Sequence, residues 1–407
     1  MGYGGLLSTF NLDSMRAAMT DPIRRQDRFF GTAIASATPH DLVHKVSNAE
    51  NRIASLDGLR AIAILAVALF HYYYLFPHNV SVSDGTANEE VLFFQYGWFG
   101  VMLFFSISGF VITQTLHHSN NPAHFIGKRF SRLFPAMLLC SALTYAVSFI
   151  LPVTYTASVY NFLPSLTFLD PGIFNFIFRT HAFDWMDGAY WSLFTEMRFY
   201  AMAAVIYFLS RSNFYRNFLI LASLVGVIFP AAIYLQLDKI RSVSNFLFIA
   251  NQLPWFVFGV ACYYLHHKKN RAAIAGVLVS FIAMSLYIVA ITKRPYMPFD
   301  GAVSFVAMLV IFALVFCAIR VQCVNKSLSF KPLVAIGMAS YSLYLLHQEI
   351  GQKLILITER KLPVFTGTQY AIPVLILIVG ILTSLAIYAF YEKPMNKKLN
   401  QFFYSRC

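Results

Sequence analysis

The chain contains 407 residues, of which 58% are hydrophobic and 12% are charged. A soluble domain keeps about a quarter of its residues charged, so this composition excludes an ordinary water-soluble protein. The formal net charge of +13 is also typical of proteins that bind nucleic acid or an anionic membrane surface. Because the basic residues lie between long apolar runs, we interpret them as loop residues of a membrane protein and predict no nucleic-acid partner.

Residues 1–50 contain no long apolar run, so they predict a polar, basic, cytoplasmic extension rather than a cleaved signal peptide. Beyond them, apolar runs of about 20 residues recur, the length at which a helix crosses a hydrocarbon core of about 30 Å. We therefore predict an all-α, polytopic membrane bundle of about ten transmembrane helices, followed by a short cytoplasmic tail at 397–407. The predicted spans are 60–77, 96–116, 133–151, 190–209, 217–236, 246–265, 273–292, 301–319, 333–353 and 370–391.

The connection at 152–189 is the longest one between two predicted spans. It contains the moderately apolar stretch Phe162–Leu169, which is too short to cross the bilayer and too apolar for a freely solvated loop. We expect a re-entrant or interfacial segment there.

The distribution of Lys and Arg predicts the orientation, because loops rich in these residues stay on the cytoplasmic side. With the N-terminus inside, the inner loops and the C-terminal segment hold fifteen basic residues, whereas the outer loops hold eight. Both termini are therefore predicted to be cytoplasmic.

The cysteines show neither the spacing of a disulfide framework nor that of a zinc site. A thiol within an apolar run behaves as a small hydrophobic group, so we predict no disulfide and no metal. The five residues are Cys140, Cys262, Cys317, Cys323 and Cys407.

Several ionisable side chains lie inside predicted spans, where such a group is costly and suggests a functional site. At a rise of 1.5 Å per residue, His71 lies about 16 Å above the inner face, Glu196 about 9 Å below the outer face and His347 about 21 Å above the inner face. One buried histidine is as often a structural residue bonded to backbone, but three polar groups at a comparable depth favour a site. Arg198 faces another side of its helix than Glu196, and the sequence predicts no partner for it.

A second polar group is basic and lies at the predicted inner face. Topology alone explains Lys128. Arg129 and Arg132 share one face of a helix, and Arg60 lies at the inner end of the first span. Because guanidinium groups match phosphate oxygens, we predict a phosphate-bearing ligand that enters from the cytoplasm.

The second span contains the stretch Phe104-Phe105-Ser106-Ile107-Ser108-Gly109. Small residues allow helices to pack closely, so packing explains much of this stretch. Ser108 can also donate a hydrogen bond, and Gly109 can let a ligand approach the backbone, so both alternatives stay open. The chain has no Gly-x-Ser-x-Gly elbow, and no serine nucleophile is predicted.

Six stretches of the chain resemble, in order, the motifs of the acyltransferase 3 family of ten-helix membrane acyltransferases. Each stretch is weakly specific alone, and the resemblance depends on their order and on their spread over a membrane acyltransferase domain at 51–396. The stretches are Ser55-Leu-Asp-Gly-Leu-Arg60-Ala-Ile-Ala followed by His71, Gly97-Trp-Phe-Gly-Val-Met-Leu-Phe-Phe-Ser-Ile-Ser-Gly-Phe110, Lys128-Arg-Phe-Ser-Arg132-Leu-Phe-Pro135, Trp191-Ser-Leu-Phe-Thr-Glu196-Met-Arg-Phe-Tyr200, Ser340-Tyr-Ser-Leu-Tyr-Leu-Leu-His347 and Tyr391-Glu-Lys-Pro394.

The resemblance implies transfer of an acyl group, commonly acetyl, from cytoplasmic acyl-CoA to a hydroxyl of an extracytoplasmic acceptor. Acceptors in the family include surface polysaccharides, lipopolysaccharide, peptidoglycan, periplasmic glucans and macrolides. Acyl-CoA would be a donor substrate rather than a bound cofactor, and the carbohydrate or glycolipid acceptor would be the second partner. The expected location is the bacterial cytoplasmic (inner) membrane.

The resemblance also assigns roles to individual residues. It implies that His71 is the essential histidine and that acyl-CoA contacts Arg60, Phe104, Phe105, Ser108, Gly109, Arg129 and Arg132. We expect a catalytic His71 that acts as general base, with a covalent acyl-histidine as the alternative. We also expect Glu196 and His347 to orient His71 or bind the acceptor, together with Trp191 and Ser192.

Two departures from the family pattern affect these assignments. Many members carry an acidic residue soon after the first-helix histidine, where this chain has Tyr72, Tyr73 and Tyr74. Many also carry two adjacent acids in the fourth span, where Met197 replaces the second. The first departure makes Glu196 the expected partner of His71.

A proton-coupled transporter or flippase is the alternative, because buried His and Glu among many spans also fit a carrier. The sequence shows no inverted repeat and no pair of Gly/Pro-broken spans in matching positions, which favours the enzyme. A purely structural scaffold would leave the buried polar residues unexplained.

Overall fold

Helices make up almost all of the protein that the structure describes. The structure is a computed structural model, and it describes residues 53–75, 93–153, 156–268, 271–292, 300–361 and 368–404, which form helices and no strand. The predicted all-α fold class is therefore confirmed for this part of the chain. The predicted N-terminal extension at 1–50 lies outside the described residues.

The helices are numbered here in chain order. They are α1 (Ala54–Phe70), α2 (Phe99–His117), α3 (Pro122–Ile150), α4 (Phe162–Thr167), α5 (Pro171–Phe178), α6 (Trp191–Leu209), α7 (Phe214–Tyr234), α8 (Asp238–Phe248), α9 (Leu253–Lys268), α10 (Arg271–Thr292), α11 (Gly301–Arg320), α12 (Gln322–Leu328), α13 (Lys331–Met338), α14 (Ser340–Leu346), α15 (Glu349–Lys361), α16 (Thr368–Ile387) and α17 (Lys393–Tyr404).

Within the described ranges, nine helical segments are long and apolar enough to cross a membrane. They correspond to nine of the ten predicted spans, so the protein is a multi-pass integral membrane protein. The orientation of its termini stays a prediction. The nine segments are Ala54–Leu75, Phe93–His117, Pro122–Ile150, Gly188–Leu209, Arg211–Tyr234, Asp238–His267, Ala272–Thr292, Gly301–Arg320 and Tyr370–Phe403.

The predicted span at 333–353 is not one continuous helix. The chain forms α13, α14 and α15 there, with interruptions at Ala339 and at His347–Gln348. At membrane depth, interrupted backbone persists only where the protein itself satisfies its polar groups. The second interruption meets this condition, because Asp187 accepts a hydrogen bond of 2.9 Å from the backbone N–H of Glu349.

Two spans contain a short π-helical segment, in which the helix widens to accommodate an extra residue. The first segment is His71–Leu75, directly after α1, and the second is Tyr388–Glu392, between α16 and α17. Such segments are rare and often occur at functional sites. Here one begins at the predicted catalytic histidine, and the other ends in the Tyr391-Glu-Lys-Pro stretch.

Two elements differ at their ends from the prediction. α3 begins at Pro122, so Arg129 and Arg132 lie within the helix rather than before it. Asn121 accepts the N–H of His124 and thereby caps this helix. At the C-terminus, α17 continues to Tyr404 and packs on α3, where Asn400 accepts a hydrogen bond of 2.7 Å from Ser131.

The long connection contains two short helices, α4 and α5. Asn161 before α4 and Ser165 within it are buried, and the re-entrant or interfacial placement of Phe162–Leu169 stays a prediction. The structure also supplies partners for Arg198, for which the sequence predicted none. Its guanidinium donates to the carbonyl of Phe246 near the end of α8 and interacts electrostatically with Asp170 of the long connection.

α2 and α9 are in close backbone contact at two glycines. A Cβ added to Gly109 would lie well inside van der Waals contact with the Phe256 carbonyl, and 3.1 Å from Cα of Gly259. Gly259 in turn packs against the carbonyl of Ser106. This contact lets the two backbones approach as in a small-residue interface.

Gly109→Ala should destabilise the protein, because the added methyl group forces two rigid backbones apart, at a cost of about 1–3 kcal/mol. The free energy of unfolding can be measured by detergent titration in mixed micelles. Gly380→Ala is the matched control, since its Cβ would meet only the flexible Leu343 side chain at 3.4 Å. Equal stability of the two variants would contradict the packing role of Gly109.

Candidate functional site

Two histidines from distant parts of the chain meet in the interior. His71 begins the π-helical segment after α1, and His347 follows α14 at the break before α15. Nε2 of His347 lies 3.3 Å from Nδ1 of His71, with the rings 4.8 Å apart and nearly perpendicular. Both residues are buried, so the pair is a desolvated site for proton chemistry.

Backbone carbonyls assign the tautomers of this pair. Nδ1 of His71 lies 2.8 Å from the carbonyl of Val67, and Nδ1 of His347 lies 2.8 Å from that of Tyr344. A carbonyl oxygen can only accept, so each Nδ1 carries a proton in the neutral ring, and each Nε2 carries a lone pair. The lone pair of His347 then faces the Nδ1–H of His71, which fixes the orientation of the His71 ring.

Neutral polar side chains surround the histidine pair. Gln348 is buried and hydrogen-bonds to His71 through its side chain. The ring of Tyr344 lies 5.3 Å from that of His347, and its hydroxyl shares a hydrogen bond of 2.7 Å with Ser192. The predicted orienting residues His347 and Ser192 thus lie in one group.

A second cluster is built around Glu196 on α6. Ser108 of α2 donates a very short hydrogen bond to the Glu196 carboxyl group. Tyr200, one helical turn after Glu196, donates another of 2.5 Å. The carboxyl group also interacts electrostatically with Arg60 and Arg129. The cluster therefore combines the Glu196 carboxyl group with two arginines.

The three predicted phosphate-binding arginines converge on this cluster. Arg129 donates to Thr115 at 2.7 Å, and its guanidinium lies over the ring of Tyr200. Arg60 pairs with Asp57 at 2.9 Å, while Arg132 is exposed. Electrostatic interactions link Arg132 to both other arginines, and three cations this close favour a polyanionic ligand.

The expectation that Glu196 orients His71 is wrong. Its hydrogen bonds go to Ser108 and Tyr200, and His347 instead lies beside His71. Residue counts along separate spans do not show which side chains meet, and this pairing depends on how the helices pack.

The aromatic residues of α2 divide between the site and the core. The ring of Phe104 meets that of Tyr344 at 6.0 Å, between the two clusters. Phe105 instead stacks on Phe256 at 4.7 Å. Because α9 covers Phe105 and Gly109, their predicted contact with acyl-CoA is replaced by helix packing.

Trp191 lies at the start of α6, and 39% of its surface is exposed. Its ring meets that of Phe105 edge-on at 6.4 Å. The residue therefore lies at the margin of the site, and its predicted role toward the acceptor stays a prediction.

Sequence reasoning missed three residues of the site. Tyr200 stood in a quoted motif and lies one turn after Glu196, so helical spacing could have found it. Gln348 and Asp187 gave no such signal, because their role depends on the break after His347. In the described part of the chain, no three His, Cys, Asp or Glu residues come together as metal ligands would.

A comparison with protein-family models assigns this chain to a family. Residues 53–392 match the model of the acyltransferase 3 family, described as an acyltransferase domain. The chain belongs to the acyltransferase 3 family. The matched range contains both clusters and ends directly before α17.

Several curated relatives are O-acetyltransferases. The chain is 27% identical to the peptidoglycan O-acetyltransferase OatA of Listeria monocytogenes, over 73% of this chain and 49% of the relative. It is 25% identical to the O-acetyltransferase OatA of Staphylococcus aureus, over 85% of this chain and 57% of the relative. The putative peptidoglycan O-acetyltransferase YrhL of Bacillus subtilis is also 25% identical, over 87% and 56%.

The chain thus spans about half the length of the curated relatives that it matches. No solved structure matches it significantly. The family membership assigns residues 53–392 to an acyltransferase domain within a multi-pass membrane protein.

Tyr200→Phe should destabilise the protein, because it removes a donor from the Glu196 carboxyl group and keeps the ring beneath Arg129. We expect a loss of about 1–3 kcal/mol in the free energy of unfolding. Tyr160→Phe is the matched control at an exposed tyrosine, where the change should stay within about 0.5 kcal/mol. Detergent titration of both variants measures the difference, and an unchanged Tyr200→Phe protein would argue against the cluster.

Proposed function

We propose that this protein is an O-acyltransferase that moves an acetyl group from cytoplasmic acetyl-CoA to a glycan hydroxyl on the outer side of the bacterial cytoplasmic membrane. The observation that carries the proposal is the buried pair of His71 and His347, in which Nδ1 of His71 is held between Val67 and His347. This arrangement keeps the lone pair on Nε2 of His71, as a general base requires. Imidazole is the side chain best suited to that task near neutral pH.

The arginine cluster is the proposed donor site. Arg129, Arg132 and Arg60 would bind the phosphates of CoA, because guanidinium groups form charge-assisted hydrogen bonds with phosphate oxygens. Buried Nε of Arg129 has no hydrogen-bond partner, so it offers a donor to such a ligand. The thioester arm would then extend past Phe104 and Tyr344 toward the histidine pair.

The chemical step follows from these positions. The acceptor oxygen bonds to the thioester carbonyl carbon while its proton passes to Nε2 of His71. The carbon–sulfur bond then breaks, and the same proton passes to the CoA sulfur, so the products are an ester and the free thiol. His347 accepts from Nδ1–H of His71 throughout, which stabilises the imidazolium that forms between the two proton transfers.

The proposed acceptor is a glycan, because the relatives that the chain matches include peptidoglycan O-acetyltransferases. Gln348 bonds to His71, and Ser192 bonds to Tyr344 beside His347; both side chains can hydrogen-bond sugar hydroxyls. Holding donor and acceptor together in a dry site supplies much of the rate through positioning.

His71→Ala should abolish transfer of label from radiolabelled acetyl-CoA to glycan and lipid fractions of membranes that contain the protein. A general base contributes about 10²–10⁴-fold to the rate, so we expect a loss of at least about 10²-fold. His181→Ala, at an exposed histidine, is the matched control and should keep full activity.

A proton-coupled carrier is the second candidate function, because interrupted helices such as that at His347–Gln348 also occur in carriers. The same assay distinguishes the enzyme from the carrier. Transfer that depends on His71 supports the acyltransferase. Full activity of His71→Ala contradicts the general-base role. Absence of transfer by folded wild-type protein, with native acceptors present, favours the carrier.

Arg129→Gln should raise the KM for acetyl-CoA about 10- to 100-fold, because a hydrogen bond to a charged group contributes about 1.5–3 kcal/mol. Arg216→Gln is the matched control, since Arg216 is exposed and bonds only to the neighbouring Asn217. The KM and kcat of both variants are measured in the same transfer assay. A lowered kcat with an unchanged KM would place the donor phosphates elsewhere.

A further inference from the structure

Asp187 is a fully buried carboxylate outside the two clusters. It lies in the turn that leads into α6, and none of its surface is exposed. One oxygen accepts the backbone N–H of Ala189 at 2.8 Å, and the other accepts that of Glu349 at 2.9 Å. Each carboxyl oxygen therefore serves a different segment of the chain.

The second of these bonds lies directly after the predicted catalytic region. Glu349 is the first residue of α15, and its N–H is one of the groups at a helix start that lack a partner within the helix. Asp187 supplies that partner from a distant segment, as an N-cap residue would do from within the chain. It thereby fixes where α15 begins, two residues after His347.

Further contacts join the same turn to the same break. Tyr344 donates to the carbonyl of Ala189 at 2.9 Å, and Tyr190 donates to that of Leu345 at 3.2 Å. A Cβ added to Gly188 would lie 2.6 Å from Nε2 of Gln348, so the absence of a side chain at Gly188 makes room for the Gln348 amide.

The π-helical segment also reaches this carboxylate. Tyr72, the residue after His71, interacts electrostatically with Asp187. Its hydroxyl occupies the space that a Cβ on Gly351 would need. Asp187 thus lies where the segment that carries His71 meets the segment that carries His347 and Gln348.

We propose that Asp187 is a positioning residue that holds His347 and Gln348 against His71. The proposal rests on the proposed function, in which His71 is the general base. Without the bond to Glu349, the break can relax, and His347 no longer fixes the ring of His71. A misplacement of about 1 Å at a reacting group can cost about 10²-fold in rate.

Asp187→Asn tests this role, because the amide keeps the size of the side chain but replaces one acceptor with a donor. We expect kcat for acetyl transfer to fall about 10²-fold, with the KM for acetyl-CoA within about twofold, since the arginine cluster is untouched. Asp300→Asn is the matched control. Asp300 caps α11 by accepting from Ala302 and Val303, and asparagine caps a helix equally well.

Hydrogen–deuterium exchange of the purified proteins in nanodiscs supplies a readout independent of activity. Peptides that cover 345–355 should exchange at least tenfold faster in Asp187→Asn than in wild type, with no change in Asp300→Asn. Asp187→Ala should show at least the same local change, because alanine removes both acceptor oxygens, whereas asparagine keeps one.

Three results would overturn the proposal. The first is unchanged exchange at 345–355, which would mean that Asp187 does not hold the break. The second is a kcat that returns to the wild-type value when it is normalised to folded protein. The third is a change in the KM for acetyl-CoA without a change in kcat. If folded wild type transfers nothing, the proposed function fails, and the exchange experiment alone decides whether Asp187 holds the break.

Discussion

The structure depends on the backbone at the His347–Gln348 break, where both residues are buried. A buried N–H or carbonyl group that an interrupted helix leaves unpaired costs free energy. The turn at 187–192 satisfies such groups, through Asp187 and Tyr190. Because the same contacts position His347 beside His71, the groups that make the break tolerable also build the site. A continuous helix would need no such turn and would present its side chains at fixed helical intervals.

α14 connects the two clusters across this interior. Near its start, Ser342 donates to the buried Glu392, which interacts electrostatically with Arg132 of the basic cluster. Just beyond its end, His347 contacts His71. Five positions along the chain therefore separate Ser342, which leads to the basic cluster, from His347 in the histidine pair. This separation lets each cluster keep its own charge environment.

Each of the two π-helical segments carries one residue of the contacts described above. A regular helix would direct that side chain elsewhere. His71 begins one segment and Glu392 ends the other. A π-helical turn changes the register of the side chains that follow it, and such turns are common at functional sites. Both segments also contain aromatic residues, among them the buried Tyr72 and Tyr73.

The sequence by itself determined the all-α class, nine of the spans and the family, because apolar length and motif order can be read along the chain. Only the tertiary structure decided which residues meet. Counting along spans placed Glu196 with the histidines, but helix packing brings Glu196 to Ser108 and Tyr200 instead. The break after His347 and the role of Asp187 depend on hydrogen bonds between segments 162 positions apart, and local periodicity contains no information about such pairing.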